Sequence, residues 1–186
     1  EYRGALIAMD PNTGEILAFV SKPGFDPNLF VDGIDHINWK LLNESIDRPL
    51  NNRALRGVYP PGSTYKPFMA LAALELGKRS PDYSISDPGF FSLPGSSHRF
   101  RDWKAGGHGR VNLHKSLVVS CDTYYYMLAN DLGINAIYNF MGQFVFGKKT
   151  EIDIPGEIVG LSPSPEWKMK RFKQNWYPGD TISIGI

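Results

Sequence analysis

The stretch Tyr59-Pro60-Pro61-Gly62-Ser63-Thr64-Tyr65-Lys66-Pro67, running into Phe68-Met69-Ala70-Leu71-Ala72-Ala73-Leu74-Glu75-Leu76-Gly77, decides how this chain is read. Residues 57 to 62 hold two glycines and two prolines and cannot be regular structure. They deliver the chain into Ser63. From Phe68 to Leu76 only Glu75 is polar, which predicts a helix buried nearly all round and stopped by Gly77. Pro67 falls close to the first turn, where a missing amide costs least. A serine at the head of such a helix meets free backbone amides and the positive end of the dipole, and both favour a developing oxyanion. A lysine three residues on lies on the same helical face, within reach of that hydroxyl. A buried amine can then act as the base that makes the serine a nucleophile.

Spacing alone does not single the pair out. With fourteen serines and eleven lysines in 186 residues, chance supplies about one Ser-x-x-Lys, and Ser63–Lys66 is the one present. An N-capping serine beside a solvated lysine fits the spacing equally well. The context argues for chemistry: a Pro-Pro-Gly lead-in and an apolar helix behind it are costly features for a surface helix.

Outward toward the N-terminus, residues 4–9 and 15–20 are short apolar runs joined by Asp10-Pro11-Asn12-Thr13-Gly14. This reads as a β-hairpin buried on at least one face. A helix is predicted over residues 36–44, where Ile37, Leu41 and Leu42 repeat at helical spacing. Toward the C-terminus come some 35 residues rich in Gly, Pro, Ser and Asp, with extended pieces near residues 90–91 and 98–100. Helices are predicted over 113–119, 123–132 and 135–144, and an irregular polar excursion over 156–176. The class is mixed α and β, with helices outnumbering strands.

Composition narrows the function. The chain has 186 residues and 20.8 kDa, with 42% hydrophobic and 21% charged residues, as a globular domain has. Twenty basic residues against nineteen acidic leave a net charge of +1, which argues against a nucleic-acid binder relying on a large basic surface. One cysteine excludes an internal disulfide framework. No apolar run approaches the eighteen or so residues that span a bilayer. The opening residues Glu1-Tyr2-Arg3-Gly4 run straight into a strand pattern, so the natural start is expected upstream.

The nine residues around Ser63 resemble the first active-site motif of the penicillin-binding transpeptidases, and most closely that of the penicillin-binding protein 2 subgroup of class B enzymes in rod-shaped Gram-negative bacteria. Gly24-Phe25-Asp26-Pro27-Asn28, Asp87-Pro88-Gly89, Arg101-Asp102-Trp103-Lys104 and Trp176-Tyr177-Pro178-Gly179-Asp180-Thr181 resemble the same subgroup, so the likeness runs across the whole chain. It implies an α/β (α+β) transpeptidase/β-lactamase-like fold, an antiparallel sheet flanked by helices. The family's second motif, Ser-x-Asn or Ser-x-Asp, matches Ser120-Cys121-Asp122, 57 residues after Ser63. There Ser120 would pass a proton between lysine, nucleophile and leaving amine, and Asp122 would hold the lysine or the substrate. Taken alone, a serine and an aspartate at a helix start are ordinary caps.

The family's third motif, Lys-Thr-Gly, is absent. Lys149-Thr150-Glu151 lacks the glycine and comes too early. Residues 1–186 are therefore expected to be the front portion of a transpeptidase domain, without membrane anchor, pedestal or closing strands. Such a piece would leave its hairpin with an unpaired edge and an exposed apolar face, with little stability or activity of its own.

Cys121 stands beside Ser120, with Asp87, Asp102 and His108 in the loop-rich stretch before it. A lone cysteine also serves as a small buried hydrophobe, and four donors spread over 35 residues make a loose pattern. Some relatives in the subgroup carry a structural zinc on two Asp, a His and a Cys in this region. The resemblance implies the same four ligands here, and a metal would hold an irregular stretch together. His36, His98 and His114 are expected at the surface. Tyr124-Tyr125-Tyr126 reads as core, and Lys168, Lys170, Arg171 and Lys173 as a solvated basic loop.

The implied activity is D,D-transpeptidation on the periplasmic face of the bacterial inner membrane. Peptidoglycan stem peptides would be the substrates and β-lactams the covalent inhibitors. A glycosyltransferase and scaffold proteins of the elongation machinery would be its partners. A β-lactamase or penicillin-sensing domain shares Ser-x-x-Lys, and a non-catalytic scaffold would share the fold without needing Ser63 and Lys66 together.

Overall fold

The computed structural model describes residues 2–186, which divide into two compact units. The first runs to Tyr59 and takes in Lys149–Val159; the second comprises Pro60–Lys148 and Gly160–Ile186.

The first unit opens with the predicted hairpin, β1 (Gly4–Met9) antiparallel to β2 (Ile16–Lys22), in a register that pairs Leu6 with Val20 and Ile7 with Phe19. Asp10 builds the turn by accepting from the Asn12 amide at 2.8 Å, and Gly14 takes a φ of 79° that other residues avoid. The expected burial of one face is not found. Leu6, Ile7 and Leu17 are exposed, because the short helix Arg53–Arg56, which packs against both strands, is too small to cover the ladder.

Helix α1 (His36–Glu44) falls where the periodicity put it, capped by Asp35, whose carboxylate accepts from the amides of Ile37 and Asn38. It buries no residue. The short helix α2 (Arg53–Arg56) is fixed by polar contacts instead. Arg53 N donates to Ser21 Oγ, Ser21 Oγ donates to Asn51 O, and the buried Arg53 guanidinium donates to the carbonyls of Asp47 and Arg48.

The second unit holds the hydrophobic core. Gly62–Tyr65 forms a 3-10 turn that leads directly into α3 (Lys66–Glu75), with Pro67 in the first turn and Gly77 at φ 64° past the end. Only one face of α3 is buried, through Met69, Ala70, Ala72 and Ala73, while Leu71 and Leu74 reach solvent. The buried face is the alanine-rich one, whose small side chains let a neighbouring helix approach closely.

Next come β3 (Ser84–Asp87), β4 (Phe90–Phe91), β5 (Phe100–Arg101) and β6 (Gly109–Asn112). They pair antiparallel as β3 with β6 and β4 with β5. With the hairpin this makes three separate two-stranded ladders among the described residues rather than one continuous sheet. Strands β3 and β6 were not expected. Each carries one apolar residue, Ile85 and Val111, and these face each other in register and are buried together.

Helices α4 (Leu113–Val118), α5 (Asp122–Leu132) and α6 (Ile134–Met141) follow as predicted. Helix α5 is the centre of the unit. Tyr124, Tyr125, Leu128 and Ala129 are buried against Met69 and Ala73 of α3 and Ile137 and Met141 of α6, so the tyrosines are core as expected. A helix, α7 (Pro165–Phe172), capped by Ser164, interrupts the stretch 156–176 that was expected to be irregular, and beyond it comes α8 (Pro178–Ser183), where Asp180 accepts from the Tyr177 amide at 2.7 Å. Just past α8, a Cβ on Gly185 would lie 2.6 Å from Tyr125 O, so only glycine lets the chain pass α5 this closely.

Candidate active site

Four of the residues singled out from sequence meet at the junction of α3 and α5, all within the second unit. Ser63 is exposed in the 3-10 turn, whereas Lys66, at the start of α3, is 1% exposed. The sequence places the lysine under the serine; the structure puts a third group between them. The Ser120 hydroxyl donates to Ser63 Oγ at 2.8 Å, and Lys66 Nζ donates to Ser120 Oγ at 3.1 Å. The remaining ammonium hydrogens go to Ser120 O at 2.9 Å and Asp122 Oδ1 at 2.5 Å. All three donors of a buried ammonium are thereby satisfied and its charge is compensated by a carboxylate, as burial requires. The Tyr125 ring lies 5.5 Å from Nζ and adds an aromatic wall.

The backbone at Ser120 explains how one residue serves both neighbours. The α4 helix ends with Ser120 N donating to Leu117 O and Cys121 N reaching back to Ser116 O. Ser120 occupies the left-handed position that closes such a helix, with a φ of 52°. Glycine is the usual occupant, and a serine there carries strain of about 1–3 kcal/mol. That backbone presents both the carbonyl and the hydroxyl of Ser120 to Nζ.

Asp87, Asp102 and His108 also converge, their donor atoms lying within 4.8 Å of one another. Both carboxylates are buried. His108 Nε2 is 3.1 Å from Asp102 Oδ1; Cys121 Sγ is not one of the three mutually close donors but lies 3.4 Å from Asp87 Oδ2. Burial pushes the Cys121 thiol above its ordinary range, with the two carboxylates adding to the effect. Burial would also raise Asp102, but the amides of Lys104 and Thr123 outweigh it and hold that carboxyl below the usual range. The loop is closed tightly. A Cβ on Gly107 would meet Asp87 O at 2.2 Å, so glycine is required there. His36, His98 and His114 are exposed, as expected.

Two contacts escaped the sequence reading. Trp103 donates its backbone N–H to Asp122 Oδ2 and its indole N–H to Val119 O, both at 3.1 Å. Lys149-Thr150-Glu151 forms no part of this site; Glu157 accepts from the amides of Thr150 and Glu151 and from the Thr150 hydroxyl.

Comparison with known proteins agrees with the geometry. The family model described as penicillin binding protein transpeptidase domain matches residues 4–186. Peptidoglycan D,D-transpeptidase MrdA of Acinetobacter baumannii is 56% identical over 184 residues, covering 99% of this chain and 27% of the relative. The crystal structure of Pseudomonas aeruginosa PBP2 in complex with WCK 5153 superposes with a TM-score of 0.95 at 50% identity, over 99% of this chain and 42% of that one. A Helicobacter pylori PBP2 solved in complex with MreC gives a TM-score of 0.94 at 39% identity, over 99% of this chain and 34% of the other. The chain thus spans less than a third of the length of the curated relative.

Proposed function

This chain belongs to the penicillin-binding-protein transpeptidase family, and from that premise we propose that it carries the nucleophile, base and proton relay of a peptidoglycan D,D-transpeptidase. The observation that carries the reading is the chain of contacts from Ser63 Oγ through Ser120 Oγ to Lys66 Nζ. An exposed hydroxyl is wired to a buried amine, which neither a capping serine nor a scaffold needs.

As the free amine, Lys66 donates to Ser120 O and Asp122 Oδ1 and accepts from Ser120 Oγ. The Ser120 hydroxyl in turn accepts from Ser63, so the heavy atoms need not move between resting and reactive states. Ser63 Oγ attacks the carbonyl between the terminal D-alanines of a stem peptide while its proton passes through Ser120 to Lys66. The Ser63 backbone N–H stabilises the oxyanion. The C–N bond breaks, the relay returns the proton to the departing amine of D-alanine, and the stem remains as an ester on Ser63. An amine of a second stem attacks that ester, forms the cross-link and releases Ser63 with its proton. A β-lactam enters by the same attack, its ring C–N bond breaking to leave an acyl-serine.

The donor set also fits a divalent metal. Two buried carboxylates and an imidazole converge, the Cys121 thiol lies 3.4 Å from Asp87 Oδ2, and no Lys or Arg side chain is hydrogen-bonded to those carboxylates among the described residues. Asp87, Asp102, His108 and Cys121 would hold a structural zinc that ties the 87–108 loop to the start of α5, with no part in acyl transfer. In the complete protein we place this unit at the periplasmic face of the inner membrane. A scaffold partner there is suggested by the MreC complex of the Helicobacter pylori relative, and a synthase partner by a similar chain solved within a peptidoglycan synthase complex.

The test is intact mass after incubation with a penicillin, using the protein at its full natural length. A stable adduct on the parent and none on Ser63→Ala supports the transpeptidase. Rapid loss of the adduct points to a β-lactamase, and no adduct on the parent overturns the reading. Metal analysis should find about one zinc per chain, lost in Cys121→Ser; a parent without zinc overturns that assignment.

A further inference from the structure

Resting on the proposed relay, we infer that Trp103 is a positioning residue that fastens both flanks of Ser120 and so keeps its hydroxyl between Ser63 and Lys66. The indole N–H donates to Val119 O on the N-terminal side, and the backbone N–H donates to Asp122 Oδ2 on the other. One residue earlier, Asp102 Oδ2 accepts from the Thr123 amide at 3.0 Å. Asp102 and Trp103 thus splint residues 119–123, and Ser120 and Cys121 lie between the fastened points.

The carbonyl of Val119 belongs to the peptide plane that rotates as the φ of Ser120 changes. Ser120 sits at a φ of 52°, where a non-glycine residue is strained and would relax if released. Relaxation would turn that plane and carry Ser120 Oγ out of its contacts at 2.8 and 3.1 Å. The indole N–H restrains this rotation at its first atom group. The backbone N–H acts on the second element of the relay: by occupying Asp122 Oδ2 it fixes the carboxylate rotamer that leaves Oδ1 for Lys66. The pose of Trp103 is set in turn by the His108 ring, 5.2 Å away at 58°.

Exposure separates this role from packing. Trp103 is 65% exposed, so a core function does not explain an indole whose only polar atom points inward to a helix-ending carbonyl. Trimming the side chain removes little buried surface, and its effect on chemistry can be read apart from folding.

The experiment uses the full-length protein and a chromogenic penicillin, resolving noncovalent affinity from the acylation rate constant, with melting temperature as the check on folding. Trp103→Phe keeps the backbone N–H and a ring against His108 but loses the indole donor; Trp103→Ala loses the ring as well. The acylation rate constant should fall about threefold in the first and about tenfold in the second, the range that loss of one neutral hydrogen bond spans. Affinity should stay within about twofold, since no contact of Trp103 with ligand is invoked. Benzothienylalanine at 103, isosteric but without the N–H, should behave as Trp103→Phe does, and 7-azatryptophan, which keeps it, as the parent. Parental rates in Trp103→Phe and benzothienylalanine overturn the inference. So does a loss confined to noncovalent affinity, which would make Trp103 a ligand contact. Failure of the parent itself to acylate would overturn the proposed function instead, and the inference with it.

Discussion

The two units of this chain are built on opposite principles. In the second, burial does the work: α3, α5 and α6 close over a continuous apolar cluster, and the candidate site sits where that cluster meets a buried lysine. In the first, only Pro23 and Arg53 are buried among the described residues, and the strands and helices are tied by caps and by hydrogen bonds around Ser21 and Arg53. The lesson concerns where chemistry can be kept. An ammonium is held in one geometry only when its surroundings leave it no alternative, and a densely packed core supplies that restriction while hydrogen-bonded turns do not.

The largest expected difference is between two leucine truncations. Leu128→Ala in α5 removes a fully buried side chain from the centre of the cluster and should cost about 2–5 kcal/mol. Leu6→Ala in β1 removes a side chain that is 57% exposed and should change stability by no more than about 0.5 kcal/mol. Urea unfolding of both variants measures the contrast. Equal losses would mean that the hairpin is covered in solution, and the comparison would fall.

How much could be read beforehand follows the same division. Ser63 and Lys66 were legible through their Pro-Pro-Gly lead-in, the apolar helix behind them and the family resemblance, whereas Ser120 and Asp122 were legible only through that resemblance, since taken alone they read as helix caps. What was not legible is the wiring, since Ser120 stands between serine and lysine only by virtue of a left-handed φ that no residue name announces. Trp103 was hidden for a related reason: half its contribution is a backbone N–H. Strands β3 and β6 escaped because one apolar residue in each gives no alternation to detect. Helix α7 left a signal that was available, Ser164 as cap followed by Pro165 and Glu166, beneath a run too polar to suggest a helix. In the hairpin the two apolar runs made the strands legible, and the exposed apolar face is the one expected of a piece without its closing strands.

A second contrast compares two glycines, both at positive φ. Gly14 has a φ of 79° with nothing within 4 Å of a Cβ, so Gly14→Ala should cost only the backbone term, about 1 kcal/mol. Gly107 has a φ of 74° and would also drive a Cβ against Asp87 O at 2.2 Å and Gly89 N at 2.4 Å. Gly107→Ala must displace the loop carrying Asp87, Asp102 and His108, so the loss should exceed the hairpin's severalfold and zinc content should fall with it. Thermal melts and metal analysis on the same samples check both. A Gly107→Ala protein with parental zinc would show that this loop has slack, contrary to the packed character assigned to its unit.

The smallest contrast is electrostatic. In the second unit burial would raise Asp180, but Lys168 at 2.5 Å and the Tyr177 amide outweigh it and hold the carboxyl below its ordinary range. In the first, the Thr150 amide and hydroxyl and the Glu151 amide do the same for Glu157. A carboxyl depressed in the folded state contributes stability that is fully present above its unfolded value and is lost as the pH falls through the folded one. Both contributions should therefore be whole at pH 7 and fade on acidification through and below the ordinary carboxylate range. Asp180→Asn should cost less than about 1 kcal/mol at neutral pH, as a partly exposed pair does, and the gap to the parent should close in acid. Glu157→Gln should leave the cooperative melt unchanged and instead speed hydrogen exchange at Thr150 and Glu151, because a contact at the surface of a coreless unit opens locally. If Glu157→Gln lowered the global melt as Asp180→Asn does, the two units would unfold as one, and the distinction between a packed body and a hydrogen-bonded one would not extend to stability.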